Sequence, residues 1–165
     1  MRTITLSDGR TVEVECLSCA LTSGLVEPDG GVIGETAHFH AHQDAAYPIK
    51  GLVIVASKRH IISLDELTDA ERLDYISFLA KIRRAQRTVL GIEHVYYFYN
   101  EDTTHHFHTW MVPRYQWMES FGRSIESVRP VLLHARTEMN DKKSREEMYD
   151  GIQRLTAELN RHIEC

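Results

Sequence analysis

The sequence predicts an α+β fold: a mostly antiparallel sheet, one long helix, and helices at the C-terminal end. Three observations predict it. Two stretches of alternating polarity flank Asp8-Gly9 near the start. An amphipathic run with helix signals at both ends spans about Asp69 to Leu90. The chain order is strands, a helix, strands, then helices, which segregates the two kinds of element. With 165 residues and no linker, repeat or low-complexity segment, the chain reads as a single domain over 1–165 with a real core.

Each element has a local reason. Thr3-Ile4-Thr5-Leu6 and Thr11-Val12-Glu13-Val14 alternate around Asp8-Gly9, a pair suited to a tight hairpin turn. Gly24 to Gly31 reads as a loop and Val32 to His42 as a second extended stretch. Tyr47 to Gly51 is a turn, and Leu52 to Ala56 a short buried strand. The long helix opens on a capping box, Thr68 with Glu71, and stops at Gly91. Leu73, Ile76, Leu79, Ile82 and Val89 recur along it at helical spacing, which predicts its apolar face. Val95 to Tyr99 is an aromatic-rich strand, and His106 to Val112 a strand ending at Pro113. Ile125 to Glu138 reads as a helix containing Pro130. Lys143 to Ile163 reads as another, with Met148, Ile152, Leu155 and Leu159 as its stripe.

Composition bounds the function. Net charge is −5, so no basic excess is present to neutralise a nucleic-acid backbone. A small nucleotide needs only a few local donors. No apolar run approaches the roughly 18 residues of a membrane span, and the first residues lack the apolar core of a signal peptide. The expectation is a cytoplasmic protein with neither nucleic acid nor membrane as partner. Three cysteines do not make a secreted disulfide framework. Ten histidines is many for this length, and they cluster at 38, 40 and 42 and at 105, 106 and 108.

Cys16 and Cys19 form a Cys-x-x-Cys pair, which reads as a zinc half-site, a redox pair or two half-buried cysteines. His60 and His106 are the positions that would complete a four-ligand site. His38, His40 and His42 alternate, as on a cupin-type metal face or on an edge strand with solvated histidines; the edge strand is the favoured reading. His106, His108 and Trp110 alternate in the same way along one strand face. Thr103 and Thr104 lie just upstream and Pro113-Arg114 just downstream. An imidazole nucleophile between hydroxyls and a fixed cation is a coherent site for phosphoryl or nucleotidyl transfer.

These residues resemble the histidine triad (HIT) superfamily of nucleotide hydrolases and transferases. His106-Phe107-His108-Thr109-Trp110-Met111-Val112-Pro113-Arg114 is similar to its signature of alternating histidines followed by Pro-Arg. Cys16-Leu17-Ser18-Cys19 resembles the Cys-x-x-Cys that opens many bacterial members. Gly51 to His60 resembles the strand ending in Pro-Lys-x-His, and Leu64 to Glu71 the entry to the long helix. The resemblance implies one HIT-like α+β domain with its core over about 16–114, a C-terminal helical extension over 115–165, and a homodimer.

It also implies roles. His108 would be the nucleophile at an α-phosphate, forming a transient nucleotidyl-histidine. Cys16, Cys19, His60 and His106 would hold a structural zinc, as in the branch that includes galactose-1-phosphate uridylyltransferase. Asp44 falls where members contact ribose hydroxyls, Asn100 where they contact ribose or phosphate, and Thr103 where a serine touches phosphate. Trp110 stands at the third triad position, which is His in most members and Gln in the transferase branch. Indole donates one hydrogen bond but cannot accept or shuttle a proton. With Arg114 as the downstream cation, the expected function is hydrolysis or nucleotidyl transfer on dinucleoside polyphosphates or nucleoside phosphoramidates. The alternative is a zinc-stabilised nucleotide-binding or sensing module with little turnover. A cupin-like oxidoreductase on His38, His40 and His42 is the third reading.

Overall fold

A computed structural model describes residues 1–5 and 9–161. β1 (Arg2–Thr5) pairs antiparallel with β2 (Thr11–Val14) as a separate two-stranded sheet, in the predicted hairpin. Asp8 of its turn lies outside the described residues, as do Ile163 and Cys165. A one-and-a-half-turn helix, α1 (Leu17–Thr22), follows.

The main sheet has five antiparallel strands in the order β3 (Gly34–Glu35), β4 (Phe39–His42), β5 (Val53–Ser57), β7 (His108–Arg114) and β6 (His94–Phe98). Helix α2 (Asp69–Leu90) connects β5 to β6. Helices α3 (Ile125–Glu138) and α4 (Lys142–Arg161) complete the chain. The long extended stretch expected over 32–42 is thus two short strands around a turn, in which the Thr36 hydroxyl accepts from the amides of His38 and Phe39. The strand expected to begin at His106 begins at His108. It runs on through Pro113, which a strand centre would reject. Pro113 is tolerated because β5 pairs with β7 only as far as Met111, so one side of the strand is unpaired there.

Register decides which side chains share a face. Phe39, Ala41, Val53, Val55, Thr109 and Met111 lie on one face. That face packs under Phe78, Ile82 and Ala85 of α2 and Met148, Ile152 and Leu155 of α4. Burying a side chain of this size contributes about 1.5–3 kcal/mol. His40, His42, Ile54, Ala56, His108, Trp110 and Val112 lie on the opposite face. Its Val112 end is covered by Met118, Val131 and Ala135. The His108 end has no such apolar cap.

α2 begins as predicted. The Thr68 hydroxyl accepts from the Glu71 amide and Glu71 accepts from the Thr68 amide. Glu71 is buried because Arg59 grips both its carboxylate oxygens, at 2.8 and 2.7 Å, and this holds its carboxyl down at about 2. The apolar face is rotated from the expected one. Ile82 is buried, but Leu73 and Ile76 are 73% and 64% exposed, and Phe78 and Ala85 take the core. The polar cap fixes the helix's rotation by burying Glu71, and Leu73 and Ile76 fall on the outer side. Among the described residues no helix is long and apolar enough to cross a membrane.

Candidate active site and metal centre

Phe107 organises the site. It is buried, with ring centroids 5.3 Å from Tyr75, 5.3 Å from Tyr99 and 6.3 Å from Phe39. Its amide donates to the Ile61 carbonyl at 2.6 Å and its carbonyl accepts from Ser57 at 3.1 Å. The residues on either side are thereby sent to separate environments.

His106 turns to the Cys-x-x-Cys helix. Its Nε2–H donates to the Ser57 carbonyl at 2.7 Å, so Nδ1 carries the lone pair. That Nδ1 lies 3.3 Å from Cys16 Sγ, 3.5 Å from Cys19 Sγ and 3.2 Å from His60 Nδ1. Cys19 Sγ is 3.2 Å from His60 Nδ1. All four ligand atoms lie within 4.8 Å of one another. Zn–S bonds of about 2.3 Å and Zn–N bonds of about 2.0 Å give tetrahedral edges of about 3.3–3.8 Å. The cluster therefore has the donors and the size of a tetrahedral site. Burial lowers the His106 imidazole, against the Ser57 carbonyl that raises it, and a ligand must be neutral. Burial, then the hydrogen bond and charge of Cys16, push the Cys19 thiol up to about 11. Without a cation the Cys19 thiol stays protonated.

His108 turns the other way. Its Nδ1–H donates to the His106 carbonyl at 2.8 Å, which leaves the Nε2 lone pair free in the neutral ring. His108, Trp110 and Asp44 line one cavity of about 400 Å³, with His42, Thr104 and Arg2. Such a volume suits a small-molecule ligand. Trp110 stacks edge-on to Tyr47 at 5.2 Å. Asp44 also caps its own turn, accepting from the Ala46 amide at 2.9 Å.

The other expected site residues fall elsewhere. Thr103 donates to Asn100 at 2.6 Å and lines the neighbouring groove beside Cys16 and His60; its neighbour Thr104 reaches both cavities. Asn100 acts here as the support for Thr103 and does not line the His108 cavity. Arg114 requires a correction. Six strand residues beyond His108 carry it about 20 Å away, where it donates to the Gly122 carbonyl and shares a cavity with Arg83 and Arg87.

Arg2 and His42 are among the residues of this cavity that sequence reasoning did not single out for it. Arg2 gave no motif. His42 was expected on a solvated edge, yet His40 and His42 are 1% and 6% exposed because β3 and β5 flank β4. Their Nδ1 atoms are 3.3 Å apart. Burial, with His40 and His108 beside it, lowers the His42 imidazole to about 3. The alternation was the available signal, and burial of two imidazoles on one face is what it meant.

No family model matches the chain. An uncharacterised HIT-like protein of Mycoplasma genitalium is 29% identical over 116 residues, covering 67% of this chain and 80% of that protein. A HIT-family structure from Bacillus subtilis is 26% identical, with a TM-score of 0.59 over 67% of this chain and 81% of its own. A zinc-bound histidine triad family protein from Mycobacterium smegmatis is 21% identical, with a TM-score of 0.64 over 90% of this chain and 96% of its own.

His42 yields a pH prediction. Its pKa is depressed on folding, so between about 6.5 and about 3 the unfolded chain binds the extra proton. Its contribution is full above about pH 6.5 and is lost as pH falls towards about 3. In an NMR titration the His42 ring signals should stay put down to about pH 4. Titration of His42 near pH 6.5 would contradict its burial.

Proposed function

We infer from one premise, that the chain belongs to the histidine triad superfamily, that it cleaves nucleotides at the α-phosphate with His108 as nucleophile. The observation that carries the reading is the His108 Nδ1–H bond to the His106 carbonyl, within a ligand-sized cavity that also holds Asp44. Nε2 attacks phosphorus with its lone pair as the bond to the leaving oxygen breaks. The carbonyl on Nδ1–H stabilises the positive charge the ring acquires. Water or another acceptor then attacks the nucleotidyl-histidine and returns the ring to its neutral form.

Trp110 selects among leaving groups. Its indole N–H engages no partner among the described residues and transfers no proton. Leaving groups that depart as anions, such as the polyphosphate end of a dinucleoside polyphosphate, are therefore favoured over amines that need protonation. Diadenosine tetraphosphate is the substrate class proposed. The same tryptophan, with Glu27, Asp29 and Asp44 around the cavity, supports a second reading as a nucleotide-binding module with little turnover.

Cys16, Cys19, His60 and His106 would hold a structural zinc, which neutralises the two thiolates. These residues then tie α1 to the end of β5 and the start of β7. A second copy of the chain is the proposed partner for the edge of β6, which is unpaired among the described residues and where Tyr97 is 52% exposed. Sedimentation equilibrium should return twice the chain mass, and a monomer at micromolar concentration would remove the dimer.

Purified protein should release AMP from diadenosine tetraphosphate, and His108→Ala should lower the rate at least about 1000-fold. Tight binding of the nucleotide without release, by wild type and variant alike, would favour the binding module. Elemental analysis should find about one zinc per chain. Cys16→Ser should lose it and melt about 10 °C lower. A metal retained in Cys16→Ser and lost in His40→Ala would place the metal on the other histidine cluster.

A further inference from the structure

The His108 cavity is ill-charged for a phosphate ester. Glu27, Asp29 and Asp44 line it, and the cation expected from sequence, Arg114, lines a different one. Among the described residues, the single Lys or Arg in its lining is Arg2 of β1. Other cations on nearby elements are committed. Lys58 donates to the Thr36 carbonyl at 2.8 Å and pairs with Glu35, Arg59 grips Glu71, and Arg145 pairs with Asp29. Among the described residues no ion pair or side-chain hydrogen bond engages the Arg2 guanidinium.

Arg2 is also held in place. Its strand partner is Val14, which is buried and lies two residues before Cys16. The hairpin is thus rooted at the metal cluster, and Arg2 borders both the His108 cavity and the groove beside that cluster. Thr104 borders the same two spaces. A guanidinium at such a junction offers paired N–H donors to phosphate oxygens. It would offset the surrounding carboxylates.

We propose that Arg2, carried by the N-terminal hairpin outside the stretch that resembles the family, binds the phosphate groups of the nucleotide in the His108 cavity. The proposal rests on the nucleotide reading of that cavity. It gives the hairpin a task, since β1 and β2 pair only with each other. The side chain neutralises charge on the phosphates and holds phosphorus near His108, so it acts on phosphate and not on the nucleoside.

The test uses the full chain and two probes, AMP and adenosine, titrated by calorimetry against wild type, Arg2→Ala and Arg2→Lys. Arg2→Ala should weaken AMP at least about tenfold and leave adenosine unchanged, while Arg2→Lys restores part of the loss. AMP affinity should fall with salt in wild type and less steeply in Arg2→Ala. Equal AMP affinity in wild type and Arg2→Ala overturns this inference alone. Equal losses of AMP and adenosine make Arg2 a structural residue and also overturn it. A wild type that binds neither probe overturns the nucleotide reading together with it.

Discussion

The rest of the site depends on the burial of Phe107. A strand alternates its side chains, so three successive residues ordinarily reach only two environments. Here His106 lies before β7 starts, Phe107 is locked among three aromatic rings, and His108 is the first strand residue. The clamp is double, because the Phe107 backbone is bonded at both its amide and its carbonyl. Both histidines owe their tautomers to it. The carbonyls that orient them, Ser57 for His106 and His106 for His108, belong to this same junction. A smaller residue at 107 would leave a cavity in the main core and loosen the Cys16–Cys19–His60–His106 cluster and His108 together.

The sheet then divides the labour between its faces. One face is mostly apolar, with Thr109 bonded to the Tyr75 hydroxyl, and is covered by α2 and α4. The other is capped by apolar residues at one end only. Its open end gathers His40, His42 and His108, which a fully covered face would not accommodate at acceptable cost. His40 and His42 stay neutral and face each other through Nδ1. Of the two, His42 lines the His108 cavity.

Much of this was legible in the chain. The hairpin and the capping box of α2 were readable because each is a local pattern with one geometric meaning, whereas the Cys16–Cys19 pair had three readings and the family resemblance joined it to His60 and His106. Thr68 and Glu71 are three residues apart, and Cys16 and Cys19 likewise. What was not legible depends on register and rotation. Apolar periodicity put Leu73 and Ile76 inside, whereas the Arg59–Glu71 pair, formed between residues on different elements, turns them outward. Arg114 reads as adjacent to the histidines but sits at the far end of a seven-residue strand. Arg2 carries no motif, and only the folding of the hairpin back to Val14 brings it to the cavity. His40 and His42 were visible as an alternation, but their burial follows from which strands flank β4.

Trp110 is where these levels meet. Register aligns it with Ile54 and His42 on the functional face, and Tyr47 supports its ring edge. A half-buried indole in that place adds apolar surface to the cavity and removes a proton donor from it. Apolar surface strengthens the hold on a planar base. In the proposed reaction, loss of the donor would leave departure of the leaving group to its own acidity. On the proposed reading, a site built this way would trade breadth of leaving group for grip on the nucleoside, and the guanidinium of Arg2 would fit that trade. An anionic leaving group needs charge neutralisation more than it needs a proton, and a cation lining the cavity, as Arg2 does, would supply it.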